Sequence, residues 1–175
     1  MPIGENIELR HIKPGDKLAG LSLGDEAYVP LKTFIKKHAH DYAAAMLAQT
    51  YGAFDGEKLA GYVTLVCGEV SAEPAGGPNH GDGVHFNYDH YPAVKIARLA
   101  VDTNYRNVGL GRFLVEFSLG VAKDTIATAV GCRFVVLDAK QASVDFYLRV
   151  GFRLIDTAEN KARAQPVMFL DLKDT

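Results

Sequence analysis

The chain has 175 residues, with 19 Lys and Arg against 21 Asp and Glu for a formal charge of -2, and it is 48% hydrophobic and 23% charged. That size and balance suit one globular domain with a buried core. They exclude a globally basic nucleic-acid binder, a chain crossing a membrane on a stretch of roughly 18 apolar residues, and a scaffold stapled by disulfides.

Met1-Pro2-Ile3-Gly4-Glu5 lacks a basic region followed by an apolar one, so no signal peptide is expected and a soluble cytoplasmic protein is the default. Cys67 and Cys132 sit in apolar runs and read as buried thiols. Ile7 to Ile12 alternates apolar and polar, the period of a half-buried strand, and Pro14-Gly15-Asp16 ends it. Residues 18 to 29 are loop-like. Pro30 suits the first turn of a helix. Leu31, Phe34, Ile35, His38 and Ala39 then share one helical face, with Lys32, Lys36 and Lys37 on the other. Tyr42 to Leu47 extends this helix or forms a second one. Thr50 to Phe54 reads as a strand and Asp55-Gly56-Glu57-Lys58 as a hairpin turn, because Asp-Gly tolerates positive φ. Leu59 to Val70 is the return strand.

Ser71 to Tyr91 is rich in Gly, Pro, Asn, Asp and His and nearly free of aliphatic residues. This is one long loop, of the kind that is functional or mobile. The spacing of His80, His85 and His90 matches neither a helical ligand pair nor a zinc pattern, so no metal is expected. Val94 to Val101 is the central strand. Leu110, Phe113, Leu114, Phe117, Val121, Ile126 and Val130 approximate a helical stripe through to Gly131. Phe134 to Leu137 is a short buried strand, and the intervening helix predicts that it pairs in parallel with the central one. Gln141 to Val150 is a helix stopped by Gly151. Phe152 to Ile155 and Val167 to Leu172 are the closing strands, joined by a polar connection over residues 157 to 165. The order is α/β in one domain, residues 1–175.

Between the central strand and the long helix lies Arg106-Asn107-Val108-Gly109-Leu110-Gly111-Arg112. A strand, a glycine turn and a helix N-terminus form a recurring grip for phosphate, because N–H groups converge there beside a partial charge of about +0.5. Gly109 and Gly111 let the backbone approach a ligand without a Cβ in the way. Arg106 and Arg112 add charge. The stretch is neither the dinucleotide fingerprint nor a Walker loop, and glycines at such a place also serve as plain punctuation.

Leu99-Ala100-Val101-Asp102, Arg106-x-x-Gly109-x-Gly111 and Phe146-Tyr147-x-x-x-Gly151-Phe152 together resemble the GNAT superfamily of acyl-CoA-dependent N-acyltransferases. The resemblance implies a GNAT fold: a mixed, mostly antiparallel sheet with a splayed parallel strand pair and flanking helices. It implies acetyl-CoA as acyl donor in that splay, a primary amine as acceptor, and no metal. Cofactor contacts are implied at Leu99, Ala100, Val101, Arg106, Asn107, Val108, Gly109, Leu110, Gly111, Arg112, Phe113, Ser143 and Phe146. Tyr147 is implied as the catalytic acid beside the CoA sulfur; a tyrosine with pKa of about 10 is protonated at neutral pH and can give its proton to a thiolate. No general base stands out, since Glu69, Asp102 and Asp138 are equally explained as strand-end carboxylates. An α-amine titrating near about 8 is appreciably neutral at pH 7, so the lack of a base leans toward an α-amino acceptor.

The chain further resembles the acetyltransferase toxins of bacterial toxin–antitoxin pairs. The resemblance is carried by Leu31-x-x-Phe34-Ile35-x-x-x-Ala39, Thr50-Tyr51, Gly61-Tyr62-x-Thr64-Leu65, Arg98-Leu99-Ala100-Val101-Asp102, Asp138-Ala139 and Phe169-Leu170-x-Leu172-Lys173. Those toxins acetylate the α-amine of aminoacyl-tRNA and are silenced by a DNA-binding antitoxin. This implies tRNA contacts at Lys32, Lys36, Lys37, Arg149 and Arg153, and an antitoxin partner. Ser143 departs from the usual alanine, and Asn107 and Val108 stand where glycine or lysine is frequent. A small-molecule or protein acetyltransferase and a non-catalytic acyl-CoA-binding module are the alternative readings. Edge strands of this fold often pair between subunits, which makes a homodimer an expectation too.

Overall fold

The computed structural model describes residues 6–73 and 76–175. Met1 to Glu5, on which the signal-peptide expectation rests, and residues 74–75 of the long loop lie outside the described residues. Among those described, no helix is long and apolar enough to cross a membrane.

The strands are β1 (Ile7–His11), β2 (Gln49–Asp55), β3 (Lys58–Ser71), β4 (His90–Val101), β5 (Phe134–Asp138), β6 (Arg153–Leu154) and β7 (Val167–Asp171). They form a 7-stranded sheet in the order β1-β2-β3-β4-β5-β7-β6. The pairs β1–β2, β2–β3, β5–β7 and β6–β7 are antiparallel. The pair β4–β5 is parallel, as the intervening helix predicts, but its register is short: Ala93 with Phe134, Val94 with Val135 and Lys95 with Val136. Beyond Lys95 the two strands run on without each other.

The fold divides into two compact units, the first running to Val66 and taking in Ala97–Ser118, the second comprising Cys67–Ile96 and Leu119–Thr175. In the first unit the helices are α1 (Val29–Lys37), with a proline in its first turn, α2 (Ala39–Ala44), and the start of α3 (Leu110–Gly120). The ambiguity after Lys37 resolves in favour of two helices, with His38 as the break. Phe34, Ile35 and Ala39 are buried against Phe54, Leu59, Tyr62 and Ala100. A register shift at Ala53/Phe54 lets Phe54 and Leu59 share that face. The Phe54 ring lies across Gly52, where a Cβ would meet it at 2.5 Å. Tyr51 pairs in register with Val63 and meets Phe117 of α3 at 4.8 Å on the opposite face. The loop over residues 18 to 29 is less bland than its composition suggests. Leu18, Leu21 and Leu23 are buried in the α1 core, and Glu26–Tyr28 forms a 3-10 turn.

In the second unit, Val70, Tyr91, Ala93, Phe134, Val136, Ile155 and Phe169 form a core, with Phe86 of the long loop stacked on Tyr91 at 5.0 Å. A 3-10 turn, Gln141–Ser143, leads into α5 (Val144–Arg149). Three expectations are corrected here. The long helix is not one regular stripe: α3 passes through a π-helical turn, Val121–Ile126, into α4 (Ala127–Ala129). The turn shifts the register, so Ala122 is buried while Val130 is 63% exposed. The connection over residues 157 to 165 contains a helix, α6 (Ala158–Ala162), capped by the Thr157 side chain accepting from the Asn160 amide. Asn160 then gives its side-chain amide to the Ile155 and Val167 carbonyls and accepts from the Val167 amide. Cys67 is exposed rather than buried, and Cys132 is half-buried. An apolar run locates a strand, but burial needs a covering layer, and β3 emerges from its cover after Leu65.

Candidate active site

The glycine turn is built by its neighbours. Asp102 ends β4 fully buried, its carboxylate accepting from the backbone amides of Ser22 at 2.8 Å and Asn104 at 2.9 Å. Burial alone would raise its pKa, but those hydrogen bonds outweigh it and hold the group below the usual carboxylate range. A 3-10 turn, Thr103–Tyr105, carries the chain past the strand end, and Tyr105 donates to Asp55 at 2.7 Å. Asn107 at φ 63 and Gly109 at φ 91 then curl the backbone into left-handed geometry. The Phe113 amide returns to the Gly109 carbonyl at 3.0 Å and starts α3. Residues 106–109 form a turn, and no close backbone hydrogen bond ties the amides of Asn107 to Arg112 to another described residue. Backbone amides gathered at a helix N-terminus favour an anion. At Gly61 a Cβ would meet the Ala100 carbonyl at 2.8 Å and Leu110 at 3.4 Å, so this glycine seats α3 against β4.

The two flanking arginines are more committed than the sequence suggests. Arg106 donates to the Leu23 carbonyl at 2.6 Å and lies 5.8 Å from the Tyr28 ring centre, which ties the 18–29 loop to the turn. Arg112 pairs with Glu116 at 2.9 Å along α3. Of the other residues expected to meet the cofactor, Ala100 and Leu110 are buried, whereas Leu99, Val101, Val108, Gly111 and Phe113 are half-buried.

Ser143, Phe146 and Tyr147 belong to the second unit. Ser143 precedes α5 and Phe146 lies on it, both half-buried. The Tyr147 ring is 8% exposed, packed edge-on against Phe146 at 5.0 Å and Phe152 at 5.7 Å. Burial pushes its pKa up to about 12. Its hydroxyl makes no hydrogen bond to a described residue, and among the described residues no sealed side-chain polar atom lacks a partner, so this oxygen is not sealed from solvent.

The three carboxylates offered as bases separate cleanly. Asp102 is sealed by its hydrogen bonds. Asp138 is held by Lys95 at 2.6 Å. Glu69 is 67% exposed, with the His90 ring nitrogen 4.0 Å away. Glu69, His90, Lys95 and Asp138 line one open groove of about 600 Å³ in the second unit, floored by Val136 and Ile155. The long-loop histidines do not converge: among the described residues no group of His, Cys, Asp and Glu is placed to hold a metal. That loop is anchored instead by Arg133, which grips Asp171 at 2.6 Å and Asp82 at 2.7 Å, a clamp that sequence reading missed. The only hint was a basic residue opening an apolar strand. Lys32, Lys36 and Lys37 are exposed on α1 along a shallow depression of about 300 Å³ that also includes Leu18 and Val29. Arg149 is exposed, and so is Arg153, its guanidinium 5.2 Å from the Phe169 ring centre.

Comparison with known proteins places these features in context. The profile of the acetyltransferase (GNAT) family matches residues 22–152. No curated protein matches the sequence significantly. Among solved structures, a tyrosine-to-phenylalanine mutant of KacT has a TM-score of 0.81 at 24% identity, covering 97% of this chain and 97% of its own. AtaT complexed with acetyl-methionyl-tRNAfMet has a TM-score of 0.80 at 21% identity, covering 96% of each chain. AtaTR bound with AcCoA has a TM-score of 0.76 at 22% identity, covering 97% of this chain and 95% of its own. Identities this low establish a shared fold.

Proposed function

Because this chain belongs to the acetyltransferase (GNAT) family, an enzyme family that uses acetyl-CoA, we propose that it transfers the acetyl group to the α-amine of aminoacyl-tRNA as a toxin held in check by an antitoxin. The observation that carries the catalytic reading is the left-handed turn at Asn107 and Gly109, whose amides through Arg112 make no close backbone hydrogen bond at the head of α3 and would cradle the donor's pyrophosphate. In the first unit Leu99, Val101, Phe113 and the backbone of Ala100 are the proposed donor contacts; in the second, they are Ser143, in the turn before α5, and Phe146, on α5.

The amine nitrogen attacks the thioester carbonyl, the carbon–sulfur bond breaks, and the electron pair leaves on sulfur. Tyr147 gives that thiolate its proton and regains one through solvent from the nitrogen, which sheds a proton as the amide forms; its high pKa keeps the hydroxyl protonated at any physiological pH. Backbone N–H groups of β4 past the end of its pairing with β5 are candidate donors to the oxyanion. Asp102 plays no part in proton transfer, since its oxygens are occupied. An α-amine needs little help to lose its proton near neutrality, which suits a site whose candidate base, Glu69, is solvated.

The toxin reading is supported by the AtaT and KacT folds and by the exposed lysines of α1. A metabolic or protein acetyltransferase is the competing reading, favoured by the net charge of -2. The test is thiol release from acetyl-CoA with charged tRNA, uncharged tRNA, free amino acids, a lysine peptide and polyamines, with Tyr147→Phe as control. Release only with charged tRNA, lost in the variant, is expected. Release with peptides or polyamines instead would replace the toxin reading.

A further inference from the structure

Arg98 turns its side chain from β4 toward α1. Its guanidinium carbon lies 3.7 Å from the Phe34 ring centre and 6.0 Å from that of Tyr42. The residue is half-buried. Among the described residues it has no carboxylate at ion-pair distance and its side chain makes no hydrogen bond. The other half-buried arginines differ: Arg10 holds Asp16 at 2.9 Å and Arg133 holds Asp171 at 2.6 Å.

A guanidinium lying on aromatic rings is oriented by its face and keeps its N–H groups in the plane, pointing past the ring edges. The rings satisfy none of those donors. A stacked, partly desolvated fork with no protein acceptor fits a bidentate oxyanion, either phosphate or carboxylate. The acyl donor is not the source. Ala100, two residues along β4, packs with Phe34 and Tyr62 on the α1 face, whereas Tyr51 and Phe117 mark the α3 face, which the glycine turn leads into.

We propose that Arg98 recognises an oxyanion carried by the acceptor, so that the acetylated amine belongs to a molecule with a phosphate or carboxylate close to that amine. An aminoacyl nucleotide or a free α-amino acid meets this description; a polyamine or a lysine side chain does not. The inference rests on the acetyltransferase reading and narrows its substrate class.

The test compares matched acceptors with wild type, Arg98→Gln and Arg98→Lys. One pair is methionine and methioninamide, which differ in the carboxylate. The other is aminoacyl-adenosine with and without a 5′-phosphate. Arg98→Gln is expected to lower kcat/KM at least tenfold for the anionic member of one pair and less than twofold for its neutral mate, with Arg98→Lys in between. The pair that responds identifies carboxylate or phosphate as the source. Equal losses within both pairs, or no losses, would overturn the assignment. Inorganic phosphate supplies a readout without turnover: amide resonances of Phe34 and Tyr42 should titrate in wild type and not in Arg98→Gln. If no acceptor releases thiol, charged tRNA included, the acetyltransferase reading fails on its own, and the phosphate titration still decides on Arg98, with identical titrations in both proteins overturning it.

Discussion

The carboxylate of Asp102 takes the backbone amide of Ser22 at 2.8 Å across 80 residues of sequence, and so fastens the buried Leu18, Leu21 and Leu23 loop to the end of the central strand. Replacing it by Asn should cost about 1–3 kcal/mol in urea unfolding at pH 7, because buried amides lose a charged acceptor. Its folded pKa is depressed, so the stabilisation is present above the unfolded value of about 4 and is lost as pH falls through the folded one. The gap between wild type and Asp102→Asn should therefore narrow as the pH is taken below about 4. A gap that stays constant down to pH 3 would refute this account.

Tyr147→Phe should retain the fold and acetyl-CoA affinity while kcat drops at least tenfold. Since burial raises this hydroxyl's pKa to about 12, loss of its proton should not depress kcat in alkaline solution up to about pH 10. An unchanged kcat in the variant would remove Tyr147 from the mechanism.

Gly109 and Gly120 should respond in opposite directions to alanine. Gly109 stands at φ 91, where a Cβ costs roughly 1 kcal/mol, and acetyl-CoA binding measured by calorimetry should weaken at least threefold. At Gly120, in a helical backbone, a Cβ meets nothing within 4 Å, so alanine should raise stability by about 0.5–1 kcal/mol.

Arg133→Met should destabilise the protein by about 2 kcal/mol or more, because Asp171 is left nearly buried without its cation. Asp82→Asn should act locally instead, speeding hydrogen exchange around Asp82 with a smaller change in the unfolding midpoint. Equal effects of the two substitutions would mean that the clamp does not anchor the long loop.

If aminoacyl-tRNA is the acceptor, kcat/KM should fall steeply between 50 and 200 mM salt, with a log–log slope of about -0.9 for each phosphate neutralised. Neutralising Lys32, Lys36 and Lys37 together should flatten that slope. A rate indifferent to salt would count against tRNA.

Strand and helix order was legible because periodicity is a local property. Phe34, Ile35 and Ala39 declare a buried helical face without any knowledge of what covers it, and Asp55-Gly56 declares a turn. The glycine turn was legible for the same reason: its left-handed backbone at Gly109 is a local demand. Long-range pairing was not. Nothing near Arg133 in sequence announces Asp82 and Asp171, and nothing near Arg98 announces the ring of Phe34. Exposure at Cys67 and Val130 was misread because an apolar residue reports its own preference and not the presence of a neighbouring layer. Arg106 was read as free charge for a ligand, yet its nearest acceptor is the Leu23 carbonyl, remote in sequence.

The place of β7 has a consequence for any severed form of the chain. This strand follows β6 in sequence yet lies between β5 and β6 in the sheet. A cut between Arg163 and Pro166 would release a short segment whose seat is interior. The remaining body would carry two facing rows of unpaired backbone groups, separated by the width of one strand. Such a slot is complementary to any extended segment of matching pattern, including the same segment of another molecule. A nicked preparation should therefore exchange strands or aggregate, and a synthetic peptide spanning residues 166–175 should reseat and restore it. The same topology offers a route to a two-piece protein assembled on demand.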